Sequence, residues 1–344
     1  MIYYMCAMIF PLLVPAMFPE KLHGKMFKRF AVLLAILPMF LLFVLRHKTM
    51  GVDTEDYVLY LRLLKPYTYK SLIYTNDFHV EIGFLFYTKF ISTFTSNYTV
   101  YFLLNGLIIF GAIYYFTEKY VDNPFAFLFL FVALGTYNFV YSGLRQSLAM
   151  AICLLAVPCI QKKKLIGFGL WVFLAYLFHK SAIVFVLAYP LSSLKKSGKT
   201  HIIYASLAIV LVAGFAFFQD LLNSWLGYDY DIEKTDSGYI FFVVLFCLFI
   251  ASYLLCEGDK NEQVFYNLSL ITLIFWAGRL VSRTAERVSF YFIMGFYCYA
   301  SLLFTETTFK SKENAMIVKL IVPLLCIAFF IYKNWGATYL FFWQ

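Results

Sequence analysis

The chain has 344 residues, of which 62% are hydrophobic and 14% charged, and its mean hydropathy is +0.77. That balance excludes a soluble globular domain and predicts an all-α, polytopic integral membrane protein forming a single multi-pass domain. The net charge of +9 would raise the question of nucleic acid in a soluble protein. Here cationic loops beside anionic lipid account for it, so membrane lipid, and no nucleic acid, is the expected partner.

Each crossing takes roughly 20 apolar residues, which leaves room for about 12 transmembrane helices. The predicted spans are 2–18, 27–45, 98–117, 124–141, 145–160, 165–179, 180–194, 201–219, 238–256, 263–281, 285–304 and 316–332. The first apolar run is followed by Lys21, Lys25, Lys28 and Arg29, the reverse of a signal peptide's charge order, and is expected as a helix with its N-terminus outside. The stretch 82–95 carries Lys89 and is shorter than a crossing requires, so it is expected as an interfacial or re-entrant helix on the outer face. Residues 46–97 then form one external segment suited to cover a substrate. The seven cysteines lie within or at the ends of apolar stretches without C-x-x-C spacing, and are expected as small core residues.

Lysines in short loops set the orientation. Lys162, Lys163 and Lys164, and again Lys195, Lys196 and Lys199, are expected in the cytoplasm. His179, between them, is then outside. Parity carries Arg145, the acidic loop 220–237 and the 279–287 turn to the same face. Six of the seven arginines, Arg46, Arg62, Arg145, Arg279, Arg283 and Arg287, fall there.

Arg279, Arg283 and Arg287 are spaced i, i+4, i+8, so on a continuous helix all three share one side, with Glu286 alone near enough in sequence to compensate them. Such a group suits an external anion, and the guanidinium fork matches phosphate oxygens; snorkelling to lipid headgroups is the plain alternative. Arg145 and Gln146 open a helix after Tyr141, Ser142 and Gly143, where the N-terminal dipole also favours an anion. His179, followed by Lys180 and Ser181, is the side chain best suited to take a proton from a hydroxyl near neutral pH, although a lone histidine is more often structural. In the external segment, Arg46 precedes Gly51, Val52, Asp53, Thr54 and Tyr57, and His79 and Glu81 follow; these offer sugar-hydroxyl acceptors, arginine partners or a base, although on spacing alone an ordinary polar loop is the better account. Asp229-Tyr230-Asp231 matches the D-x-D of metal-dependent glycosyltransferases, but in so acidic a loop a solvated surface is the better account.

The order of Arg46, Gly51-Val52-Asp53-Thr54 with Tyr57, Glu81-Ile82-Gly83, Leu144-Arg145-Gln146-Ser147-Leu148-Ala149, Phe178-His179-Lys180-Ser181-Ala182, and Arg283 and Arg287 with Tyr291 resembles the EpsG/Wzy group of bacterial polysaccharide polymerases. The likeness runs from about residue 40 to 300. It implies a membrane glycosyltransferase of the bacterial cytoplasmic (inner) membrane. Its outward-facing site would join undecaprenyl-diphosphate-linked oligosaccharide units into O-antigen or exopolysaccharide, with a chain-length regulator protein as a possible partner. Hypothesised roles follow. His179 would be the base, with Glu81 as runner-up, while Arg145 and Arg283 or Arg287 stabilise the departing diphosphate. Arg46, Asp53, Tyr57, Glu81, Gln146 and Arg279 would bind or position substrate. No cofactor and no obligatory metal are expected. A lipid-linked glycan ligase, a membrane acyltransferase and a lipid-linked sugar transporter or flippase are the alternatives; against the last, mid-span positions are nearly free of ionisable residues.

Overall fold

Long apolar runs separated by short polar breaks leave the backbone no partner in lipid but itself, and helix is the outcome throughout. The computed structural model describes the chain apart from residues 19–23, 76–77, 79, 215–216, 218–219, 222–223, 226–237, 258–261 and 306–307, and the side chains of 312–314. His79, Asp229, Asp231 and Lys21 thus lie outside the described residues, as does most of the acidic loop. Seventeen α-helices are described. The first ten are α1 (Ile2–Met17), α2 (Lys25–Val44), α3 (Thr54–Leu63), α4 (Tyr69–Thr75), α5 (Ile82–Phe94), α6 (Tyr98–Tyr120), α7 (Pro124–Ala133), α8 (Thr136–Ser142), α9 (Leu144–Gln161) and α10 (Leu165–Phe178). After a 3-10 segment, Lys180–Leu187, come α11 (Ala188–Leu191), α12 (Gly198–Ala213), α13 (Gly238–Leu255), α14 (Glu262–Arg279), α15 (Arg283–Ser289), α16 (Ile293–Ala300) and α17 (Lys312–Lys333).

Among the described residues, five helices are long and apolar enough to cross a membrane, or seven if each of two bent pairs counts as one span. These are fewer than the about 12 transmembrane helices expected. Five further apolar helices have only 10–17 residues, and α14, though eighteen residues long, buries Asn267, Ser269 and Thr272 along its length. The chain is a polytopic membrane protein. The boundaries of the predicted stretches hold to within a few residues for most helices, and α5, with thirteen residues, is short as expected.

The chain divides into two compact units. The first comprises Met1–Leu155, Phe173–Lys180 and Val322–Gln344. Its centre is α7, which is apolar on all sides and has every residue buried. A helix with no polar face belongs inside, and α1, α2, α6 and α8 pack around it. Asn123 caps α7 by accepting from the Ala126 N–H at 3.1 Å, with Pro124 at the first helical position. The predicted 124–141 span is broken: α7 stops at Leu134, Gly135 takes a φ of +82°, and α8 leaves at a bend of 62°. The short helices α3 and α4 each pack on α5. Lys89, buried on α5, donates from Nζ to the Lys65 carbonyl just past α3 at 2.8 Å. Beyond α17 the chain returns to the end of α2, where His47 N–H donates to Leu340 O (2.9 Å) and Phe342 N–H to Leu45 O (2.8 Å). The Tyr339 hydroxyl seals this pairing by donating to Leu42 O at 2.6 Å.

The second unit comprises Ala156–Val172 and Ser181–Ile321. Its hub is α14, against which α11, α12, α13, α15 and α16 pack. The Asn267 amide donates to the carbonyls of Ser192 and Leu194, at 3.1 and 2.8 Å, and so fixes the chain before α12. Gly295 lets α16 close on Leu268 of α14, where a methyl group would collide with that side chain.

Candidate functional site

In the first unit, three backbone features bring distant residues together. Gly51 has a φ of +103°, and an added Cβ would lie 2.6 Å from the Tyr141 carbonyl oxygen. Only glycine allows that approach. The Thr54 hydroxyl shares its proton between the Met50 carbonyl at 2.7 Å and this same Tyr141 carbonyl at 3.0 Å, and Val52 N–H donates to Ser142 Oγ at 3.3 Å. The Gly51–Thr54 turn is therefore docked on the break between α8 and α9, one turn before Arg145. Gly83 does the same at the other end: its missing Cβ would lie 2.6 Å from the Leu177 carbonyl oxygen. The start of α5 thereby rests against the end of α10, which delivers Glu81 to His179.

The Glu81 carboxylate is the centre of the cluster. Its Oε2 accepts from Arg145 Nη1 at 2.5 Å, and its Oε1 lies 2.9 Å from His179 Nδ1 and accepts from Lys180 N–H at 3.2 Å. Glu81 is 4% exposed and His179 6%. A carboxylate facing Nδ1 holds a proton on that nitrogen, which makes Nε2 the basic one in the neutral ring. Arg145 stays half-buried, and its Nε has no hydrogen-bond partner among the described residues. Tyr57, buried on α3, sets its hydroxyl against the Arg145 guanidinium. Burial, partly opposed by that cation, pushes the Tyr57 hydroxyl up to about 12, with Asp53 adding to the rise. Tyr60 feels the charges of Arg145, Asp56, Asp53 and Glu81, and burial raises its hydroxyl also. Gln146 is buried beside Arg145 in the first turn of α9.

Arg46 does not join this cluster. It is fully buried, with Cζ 4.1 Å from the centroids of both Phe43 and Phe102 and 4.9 Å from that of Tyr141. Burial lowers its pKa to about 10, which leaves it charged at neutral pH.

The second unit holds the other arginines. As the separate predicted spans 263–281 and 285–304 imply, the three arginines do not share a continuous helix: α14 ends at Arg279, and Ser282 caps a new helix by accepting from the Thr284 N–H, while the predicted 285–304 span is itself bent by 64° between Ser289 and Ile293. The cap breaks the i, i+4, i+8 register. Arg279 is buried and its Nε pairs with Glu286 Oε2 at 2.8 Å, the compensation expected from sequence. Gly238 of α13 packs flat on its side chain. Arg283 and Arg287 are exposed on α15. Ser181 Oγ lies 2.9 Å from the Tyr291 hydroxyl, a pairing that the sequence, in which they stand 110 positions apart, does not announce.

Chemically, the first-unit cluster is an imidazole oriented by a carboxylate, with an arginine on the other carboxylate oxygen and phenols beside it. Among the described residues no group of three histidines, cysteines or acids is placed to hold a metal ion. No curated protein and no solved structure matches the chain. A family model does match, that of the EpsG family, over residues 29–344. The match spans nearly the whole chain and takes in every residue of both clusters; the chain belongs to the EpsG family, which is linked to exopolysaccharide biosynthesis.

Proposed function

We propose that the protein is a membrane glycosyltransferase that joins undecaprenyl-diphosphate-linked oligosaccharide units into surface polysaccharide at the outer face of the bacterial cytoplasmic membrane. The observation that carries the reading is the Glu81–His179 contact at 2.9 Å with Arg145 on the second carboxylate oxygen. Short-loop lysines on the flanking connections support the outward orientation.

In the proposed reaction, Nε2 of His179 takes the proton of an acceptor sugar hydroxyl on an incoming lipid-linked unit. The acceptor oxygen forms a bond to the anomeric carbon of the growing glycan. The bond from that carbon to the diphosphate breaks, and its electron pair leaves with undecaprenyl diphosphate. Glu81 stabilises the imidazolium formed, as a carboxylate on Nδ1 does in other proton relays. Arg145 neutralises charge on the departing diphosphate. Within the second unit, Arg283 and Arg287, exposed on α15, are proposed separately as anion-binding side chains. Tyr57, Asp53 and Gln146 would position sugar or diphosphate oxygens. The lipid diphosphate is itself the leaving group, so no nucleotide sugar is required.

The deciding experiment replaces His179 with alanine in the native host and reads the polysaccharide ladder. Single-unit product at normal protein level is expected. An unchanged ladder removes His179, and with it this mechanism.

A further inference from the structure

Arg46 is an arginine with no carboxylate partner among the described residues. Its only hydrogen bond there runs from Nη1 to Phe43 O at 3.2 Å, while Nε and Nη2 are buried without partners. The charge rests on ring faces: Phe43 and Phe102 approach from 4.1 Å and Tyr141 from 4.9 Å. Cation–π contacts of this kind are favourable when desolvated, but taking a cation out of water is costly, and a well-packed apolar side chain of similar volume is often the more stable choice at such a place. A cation kept there calls for a role beyond stability.

What it holds is Tyr141. The Tyr137 hydroxyl donates to Met39 O at 2.7 Å, which leaves the Tyr141 hydroxyl to donate to Tyr137 Oη, also at 2.7 Å. The Tyr141 carbonyl is fixed by Thr54 and by the close approach of Gly51. Its ring faces Arg46. The residue is pinned on three sides, immediately before the Ser142–Gly143 break, and Arg145 begins the next helix one turn later. Where α9 starts, and the direction in which the Arg145 guanidinium emerges toward Glu81, depend on where Tyr141 is held.

We infer that Arg46 is a positioning residue: enclosed by Phe43, Phe102 and Tyr141 and out of reach of substrate, it fixes the α8–α9 break and so the placement of Arg145. The inference rests on the glycosyltransferase reading. Misplacing a group by about an ångström costs on the order of 100-fold in rate.

The test compares purified wild type, R46M and R46K, with R145A and H179A alongside, on the host's own undecaprenyl-diphosphate-linked repeat unit. R46M is expected to unfold at a temperature no lower than wild type, yet to lose roughly 10- to 100-fold in kcat per folded molecule with KM unchanged. R46K, which keeps the charge without the planar fork, should recover part of the loss. A purely structural role would move the folded fraction or the Tm and leave kcat per folded molecule alone, and that result overturns the inference. So does a rise in KM at constant kcat, which would make Arg46 a substrate contact. Should R46M fail to fold, R46K carries the same comparison, and wild-type kcat in it overturns the inference as well. Full turnover in R145A and H179A sinks the glycosyltransferase reading itself, whereas their inactivity beside a fully active R46M sinks only the role given to Arg46.

Discussion

The Glu81 carboxylate turns one oxygen to Arg145 and the other to His179, and both contacts depend on its charge. In Glu81→Gln the side chain keeps its size but offers Arg145 and His179 a neutral amide, so the imidazolium formed on proton transfer is left uncompensated. Turnover should fall about 100-fold or more, the scale of general-base catalysis, and single-turnover kinetics on the lipid-linked unit would measure it; a loss under threefold would show that the carboxylate is incidental. Tyr57 gives a second handle. An unfolded chain ionises this phenol near 10, whereas the native hydroxyl holds its proton to about 12. The unfolded state therefore releases its proton first, and stability drops as pH rises from about 10 to 12, then levels off. Across pH 9 to 12, wild type should lose about 2 kcal/mol more than Tyr57→Phe in thermal melts, and parallel curves would count against it. At this scale the sequence was half legible. His179 and Arg145 stand out because charge is rare in apolar surroundings, but their link through Glu81 spans 98 residues for the histidine and 64 for the arginine, a distance that no local pattern encodes.

Helices and turns explain the short motifs better than side-chain chemistry does. Gly51 and Gly83 are each required because a carbonyl oxygen stands 2.6 Å from where a Cβ would be. Gly83→Ala should push α5 off the end of α10, cost about 1–3 kcal/mol as overpacking does, and separate Glu81 from His179. Loss of both Tm and turnover is expected. Gly111→Ala on α6 is the control, since nothing lies within 4 Å of its would-be Cβ and alanine favours helix; equal damage at the two positions would argue against the close-approach account. Helix extents followed from the apolar runs. Two bends did not, one inside the predicted 124–141 and one inside 285–304, because an apolar run looks the same whether it continues straight or bends. The turn at Gly135 makes the first, with a left-handed glycine ending a run that is apolar on both sides. The division at Ser282, a natural N-cap between Val281 and Arg283, already separated two predicted spans.

For the whole molecule, hydropathy reveals the membrane but not how the chain partitions. The two units interleave along the sequence, with 156–172 in one and 173–180 in the other, and no compositional boundary marks the change. Orientation is the testable property at this scale. With the seven native cysteines replaced, Lys163→Cys and Lys196→Cys should react with an impermeant thiol reagent only after cells are permeabilised, whereas Ser96→Cys should react in intact cells; the reverse pattern would invert the proposed topology.

The pairing of the segment around Tyr339 with the end of α2 bears on how the protein is made. Tyr339 reaches Leu42 across 297 residues of chain, and Phe341 bridges to Arg46 itself. At about 5–20 residues per second, synthesis takes on the order of 15–60 s to supply that partner after Leu42 has left the ribosome. Throughout that interval the end of α2 is without the partner that Leu340 and Phe342 supply, so this edge of the first unit closes only after nearly all of the chain between has been made.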